Sequence, residues 1–274
     1  MNRLFVVKKP VFISSNFYLS RIKRKYKNKK AGFSGTLDPF ACGCLIVAFG
    51  QYSKLFRFLK KTPKAYRTTV WLGANSDSLD LENVYEIKYV EKLHEEDIED
   101  KLKLLLGTLE YLPPRFSAKK IDGKRAYDLA RKGVDFEMKK ISSQVYDVKF
   151  INYNHPFITF DITVSEGSYI RSMAQILLEK LSVAGTLSYL ERLHEGEFFY
   201  DDEKALNPLH YLDLKTNNYT GSKEWFDLGK KLNIKYFENK EDGEYLIPFD
   251  TFFAVIEIKD NEAKYILNKV LLHD

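Results

Sequence analysis

Cysteine is nearly absent from this chain: its 274 residues contain two, Cys42 and Cys44. Two thiols so close along one strand make a poor disulfide or metal pair, so a disulfide-stapled secreted fold is excluded and reduced core thiols are expected. Long apolar runs are also missing. The longest uncharged one, Ala41 to Phe49, falls far short of the ~20 residues a membrane helix needs. The opening MNRLFVVKKPVF holds no stretch long enough for a secretory apolar segment. The five histidines (94, 155, 194, 210, 273) have no metal-ligand spacing, and neither a P-loop nor a dinucleotide fingerprint occurs. No Ser-His or Cys-His nucleophile pair stands out, no repeat of solenoid period is visible, and only one short low-complexity stretch occurs, at 21–30. A cytoplasmic protein without a membrane partner, a metal or an organic cofactor is expected.

What is present is apolar mass and unevenly placed charge. Hydrophobic residues make up 45% and charged residues 30%, enough for a substantial core. At about 150 residues per domain, the length suits one large domain with a smaller one. The net charge of +5 is divided unequally: residues 200–274 hold 10 basic and 15 acidic residues, leaving 33 and 23 in residues 1–199. Arg21 to Lys30 has seven basic residues in ten, and Arg115 to Lys140 has nine basic against four acidic. Two basic clusters with interleaved aromatics suit a polyanion such as nucleic acid. A solvated lysine-rich surface suits them as well.

Residue patterning predicts a mixed α+β fold. Leu4–Val7 reads as a short strand, and Leu19, Ile22 and Tyr26 form a helical stripe capped by Ser14 or Ser15. A turn-rich stretch, residues 31–39, leads into Cys44–Phe49, an apolar run expected to be a strand buried on both faces. Lys64–Leu72 is a second strand. Ile98, Leu102, Leu105 and Leu106 mark a helix stopped by Gly107. Residues 113–140 read as a surface insertion. Phe157–Val164 alternates as a half-buried strand, and Gly167-Ser168 open a helix with apolar positions 170, 173, 174, 177 and 181. The tail ends in strand-like Phe252–Ile258 and Tyr265–Leu272.

Two charged residues sit in unusual places. Asp38 lies between a turn carrying Gly32 and Gly35 and a buried strand, with Pro39 stiffening the backbone after it. It suits either an Asp-Pro turn or a catalytic carboxylate. Arg171 falls in the first turn of a helix, where the helix dipole disfavours a cation. It therefore needs a partner: a carboxylate such as Asp38, a phosphate, or a purely structural ion pair.

The motifs together resemble those of the tRNA pseudouridine synthase B (TruB) family. AGFSGTLDPFACGCLIVAFG at 31–50 is similar to the family's GHTGTLDPxAxGxLxxxxG. Lys9-Pro10 with Ser14-Ser15 resembles KPxGxTS, and Lys64 to Asp80 resembles KxYxxxxxLGxxTDTxD. LPPRFSAKKIDGKRAYDLAR (112–131) resembles PPxYSAxKxxGxxxYxxAR, GSYIRSMAQILLEKL (167–181) resembles GTYIRSLxxDLGxxLG, and Leu187–Phe198 resembles LxxLRRTxxGxF. Six blocks in family order span residues 9 to 198.

The resemblance implies a pseudouridine synthase fold with a central mixed, mainly antiparallel sheet. Residues 1–199 would form the catalytic domain, with an RNA-gripping insertion at about 113–140, and residues 200–274 a small PUA-like RNA-binding domain. It implies cofactor-free conversion of uridine 55 to pseudouridine in the T loop of transfer RNA, with the base flipped out. A monomer is expected, since no exposed apolar helix stripe calls for a partner. Asp38 would be the catalytic aspartate, Tyr66 the ring stacked on the base, and Arg171 the partner of the aspartate. Tyr169 and Leu190 would line the pocket, and Lys9, Lys119, Lys120, Lys124, Arg125 and Arg131 would contact RNA. A non-catalytic tRNA-binding or folding protein on the same scaffold is the alternative, and a nucleoside hydrolase would differ in releasing free uracil. Three residues depart from the pattern: Phe33 replaces the histidine of GHTGTLDP, where it would fill the space left by the flipped base; Phe12 replaces the glycine of KPxGxTS; and Glu191 replaces the first arginine of LRRT. The tail after Phe198 is acidic and short for a complete PUA domain.

Overall fold

The run Cys42–Phe49, in which all eight residues are buried, forms a strand with apolar layers on both faces. The structure is a computed structural model and describes residues 1–272. In chain order it comprises β1 (Arg3–Lys9), α1 (Ser15–Lys25), β2 (Ala31–Ser34), β3 (Cys42–Phe49) and β4 (Lys64–Leu72). A small hairpin of β5 (Ala74–Ser76) and β6 (Val84–Ile87) precedes α2 (Glu95–Lys103) and β7 (Gly107–Tyr111). The insertion holds β8 (Lys120–Ile121), β9 (Lys124–Arg125) and α3 (Ala126–Arg131). Then follow β10 (Ile141–Asn154), β11 (Phe157–Val164), α4 (Ile170–Leu181) and β12 (Gly185–Glu195). The C-terminal sheet consists of β13 (Lys215–Thr216), β14 (Gly243–Pro248), β15 (Phe252–Lys259) and β16 (Glu262–Leu271).

The main sheet runs β1-β3-β12-β4-β11-β10-β7, with β2 also paired to β3. Its pairs are antiparallel except β3 with β12. Three apolar layers cover it. Helices α2 and α4 close one face over Val70, Ile158, Phe160 and Ile162. Helix α1 lays Leu19 and Ile22 on Phe5, Val7, Leu45 and Val47. The opposite sides of β1 and β3, with Leu4, Val6, Cys44 and Ile46, pack on Leu246, Phe253, Val255 and Val270 of the C-terminal sheet. The alternation of apolar residues to both sides of these two strands explains their lack of a polar face.

Several expected boundaries shift for local reasons. Ser14, rather than Ser15, caps α1, accepting from the Phe17 amide at 3.2 Å. Helix α2 ends at Lys103, and Gly107, with φ of +97°, instead begins β7. Gly167 and Ser168 do not open α4. The Ser168 hydroxyl donates to the Ser165 carbonyl at 2.8 Å and closes a turn, so the helix starts at Ile170. Cys42 and Cys44 are free buried thiols whose pKa values burial pushes up.

Gly43 sits where β3 meets β12 in parallel, paired with Arg192. Its φ is +102°, and a Cβ there would fall 2.2 Å from the Arg192 carbonyl oxygen. Only glycine permits this backbone approach. Gly43→Ala is expected to cost about 2 kcal/mol or more of unfolding free energy, read as a lower midpoint in urea.

Candidate active site

The segment 35–41 leaves β2 as a turn and enters β3, and its side chains are held from all sides. Leu37, Phe40 and Ala41 are buried in the core beneath α4. The Ser15 hydroxyl, at the start of α1, lies 2.9 Å from the Leu37 carbonyl and 3.0 Å from its amide. The Asp38 carbonyl accepts from the Ala41 amide at 3.1 Å, so the Asp-Pro turn expected from sequence is present. The carboxylate itself is free of that turn: its Oδ2 lies 2.9 Å from Arg171 Nη2. Asp38 keeps 34% of its side chain exposed, whereas Arg171 keeps 4%.

Arg171 is the second residue of α4. Its guanidinium makes three other contacts: Nη1 donates to the Ser78 carbonyl at 2.7 Å and meets Asp80 Oδ2 at 3.1 Å, and Nη2 donates to the Phe116 carbonyl at 2.8 Å. A buried cation is tolerable only when its donors are met in this way. Asp80 accepts from the Ser78 hydroxyl at 2.6 Å and the Glu82 amide at 2.9 Å. Burial pushes the Asp80 carboxyl above its ordinary range, against the pull of Arg171.

A cavity of about 270 Å³ opens beside Asp38, and Tyr66, Tyr169, Arg171 and Leu190 line it together with Lys64 and Arg192. Tyr66 comes from β4 and Leu190 from β12, both buried, while Tyr169 caps the start of α4 with its amide donating to the Tyr111 hydroxyl at 3.0 Å. Burial raises the Tyr169 pKa, keeping a neutral phenol. The five residues Asp38, Tyr66, Tyr169, Arg171 and Leu190 thus share one cavity. Phe33 does not line it: it lies on β2 opposite Val47, half-buried against the α1 cluster.

A second cavity of about 320 Å³ also borders Asp38, lined by Ser14–Asn16 and by residues of the insertion, with Arg125 and Arg131 on its wall. Lys120 and Lys124 are exposed on the β8–β9 hairpin, and Lys119 is half-exposed beside them. Arg125 donates to the Ala118 carbonyl, and Arg131 lies 3.4 Å from Glu82.

Lys9 requires a correction. Expected at the RNA surface, it is fully buried, and its ammonium donates to the carbonyls of Pro10 at 2.9 Å, Ile13 at 2.7 Å and Pro39 at 3.4 Å. It ties the 10–13 loop to the Asp38 turn and has no surface left for a phosphate. Burial pushes its pKa from 10.5 to about 8.

Sequence patterning also missed a buried ionic group under the turn. Arg192 donates to the Cys44 carbonyl at 2.8 Å and the Gly35 carbonyl at 2.9 Å, and pairs with Glu195 at 2.7 Å. Lys64 meets the other Glu195 oxygen at 3.0 Å. Gly35, with φ of +66°, packs directly on this group, since a Cβ would sit 3.1 Å from both Arg192 and Glu195. The available signal was charge recurring inside an otherwise core-facing strand, Arg192 and Glu195 in β12. Glu191, the residue in place of a family arginine, accepts from the Tyr189 hydroxyl at 2.7 Å and pairs with Lys8 at 3.1 Å. Burial opposes its charge, but Tyr189 and Lys8 hold its carboxyl below the ordinary value.

A family model described as TruB family pseudouridylate synthase (N terminal domain) matches residues 23–170. The chain is 56% identical over 270 residues to tRNA pseudouridine synthase B of Sulfurovum sp. (strain NBC37-1), covering 98% of each. It is 50% identical over 270 residues to the protein of that name from Campylobacter jejuni subsp. jejuni serotype O:23/36 (strain 81-176), covering 98% of this chain and 99% of the other. Among solved structures, a chain of a Cbf5-Nop10-Gar1 complex superposes with a TM-score of 0.66 at 17% identity, over 98% of this chain and 83% of the other. That last likeness is one of fold.

Two outcomes follow from the buried charges. Glu195→Gln leaves Arg192 and Lys64 without their buried counter-charge, and is expected to lower the unfolding free energy by about 3 kcal/mol, measured in urea. The folded pKa of Lys9, about 8, lies below that of the unfolded lysine. The unfolded chain therefore binds the extra proton between those values, and the stability difference between wild type and Lys9→Met is expected to move in favour of wild type by about 1–2 kcal/mol from pH 7.5 to 9.5. Parallel urea titrations at the two pH values check the sign.

Proposed function

This chain belongs to the TruB family of pseudouridylate synthases, and from that membership we propose that it converts uridine 55 in the T loop of transfer RNA to pseudouridine, with Asp38 as the reacting carboxylate. Pseudouridine synthesis in tRNA is the activity its relatives' names carry; the position and the residue roles are our reading. The reaction breaks the bond between C1′ and N1 of the uridine, turns the detached uracil, and forms a bond from C1′ to C5. The C5 proton leaves to water and N1 takes up a proton in place of its bond to C1′, so atoms balance without any redox change.

The observation that carries this reading is the Asp38–Arg171 pair at the mouth of a cavity walled by Tyr66, Tyr169 and Leu190. Arg171 engages one Asp38 oxygen and fixes the orientation of the carboxylate for a role as nucleophile or base. The other oxygen is left for the substrate. Tyr66 offers a ring against which a flipped uracil stacks, and stacking of a base on an aromatic contributes ~1–3 kcal/mol. The walls keep the detached uracil from diffusing away between bond breaking and bond making. Lys119, Lys120, Lys124, Arg125 and Arg131 then bind phosphates from the insertion, which makes affinity fall with salt. Residues 1–199 carry the reaction, and residues 200–274 act as a PUA-like unit that contacts the same RNA.

The test uses an unmodified tRNA transcript tritiated at uridine C5. Wild type is expected to release tritium to water from a single T-loop position, mapped by mass spectrometry, and Asp38→Asn at least about a thousandfold more slowly, a loss of ~4 kcal/mol in transition-state stabilisation. Tight binding by both proteins without release would favour a tRNA-binding protein on the same scaffold, and free uracil would point to a hydrolase.

A further inference from the structure

Phe12, which stands where the family motif has glycine, carries a backbone φ of +62° and exposes 69% of its surface. A residue with a Cβ is disfavoured in this left-handed region, and a large aromatic especially so; glycine occupies it freely. The ring recovers nothing from the core in exchange, being turned to solvent. The turn is nevertheless held firmly, because the buried Lys9 ammonium takes the carbonyls on either side, of Pro10 and Ile13. A rigid loop thus presents an exposed ring at a conformational cost that the isolated chain does not repay.

Its position indicates what repays it. The same ammonium reaches the Pro39 carbonyl, so Phe12 and Asp38 are each one residue from a carbonyl on one cation. Immediately after Phe12, Ser14–Asn16 form a wall of the second cavity beside Asp38, across from Arg125 and Arg131. In the first turn of α1, Phe17 is also exposed, with the Arg21 guanidinium 4.9 Å from its ring centroid. Exposed aromatics interleaved with guanidinium groups, next to a site that extrudes a base, match the chemistry of unpaired nucleotides, whose faces need a stacking partner once the loop is opened.

We propose that Phe12 is a stacking platform for an unpaired base of the T loop other than the one that reacts. This rests on the function proposed above. It makes Phe12 a substrate-positioning residue, separate from the Asp38 cavity, at a place where the family pattern has no side chain.

The experiment compares wild type, Phe12→Gly and Phe12→Tyr. Phe12→Gly is expected to unfold at the same or a higher urea concentration, because it relieves the backbone. Its Kd for an unmodified tRNA transcript should nevertheless rise at least about fivefold, with Phe12→Tyr within twofold of wild type. Transcripts carrying one abasic site at each T-loop position in turn then identify the partner: at one position other than 55, Phe12→Gly should cost no further affinity, the signature of a lost pairwise contact. An unchanged Kd, a lowered urea midpoint, or a penalty that persists for every abasic transcript would each overturn the proposal. Tritium release by wild type is read separately. Release with an unchanged Phe12→Gly Kd removes the platform alone, whereas no release with a penalty abolished by one abasic site removes the reaction and leaves the platform standing.

Discussion

The contact on which the rest depends is the guanidinium of Arg171. Lying at the start of α4 with almost no exposure, it joins the Asp38 turn, the Ser78–Asp80 segment and the Phe116 carbonyl at the root of the insertion. Three stretches far apart in sequence meet on one cation. Two carboxylates share it, and they differ: Asp80 is sealed by Ser78 and the Glu82 amide, while Asp38 keeps an open side. A single buried charge therefore needs both a structural counter-ion and one that remains accessible. Removing it would strand the buried Asp80 as well as Asp38.

Around that contact, the backbone of the Asp38 turn is clamped by groups from other elements as well. Lys9 holds the Pro39 carbonyl, Ser15 meets Leu37, and Arg192 holds the Gly35 carbonyl, with Glu195 as the counter-charge that it shares with Lys64. Each clamp is a charged or hydroxyl group bonding to backbone from a different element: β1, α1 and β12. Backbone carbonyls as acceptors fix the turn irrespective of side-chain identity, which leaves Asp38 and the cavity walls to be set by other demands. The close approach at Gly43 serves the same end, since it brings β12 near enough to β3 for Arg192 to reach under the turn.

The C-terminal sheet is tied to this arrangement by packing. Its Phe253, Val255 and Val270 cover the sides of β1 and β3 that face away from α1. Strand β3, which the Asp38 turn enters, is therefore sandwiched, and this end of the turn has little freedom to drift.

Much of this was legible in the residues. The continuous apolar run at β3, the alternation at β11 and the stripe of α4 each follow from side-chain period alone, and these elements lie where patterning put them. The need of Arg171 for a partner followed from its place at a helix start, and the motif blocks brought Asp38, Tyr66, Tyr169 and Leu190 forward as candidates for one pocket. What local patterning had no means of giving was burial of charge. Lys9 reads as a surface cation, because a lysine beside a proline in a basic segment has no local mark of being enclosed. Its position inside is decided by the three carbonyls that converge on it from two loops. Arg192, Glu195 and Lys64 likewise become one group only when β12 is laid beside β4. Side-chain period is a property of the chain and is determined by sequence; the enclosure of an ion depends on how distant carbonyls and counter-charges meet, and the tertiary structure alone decides it.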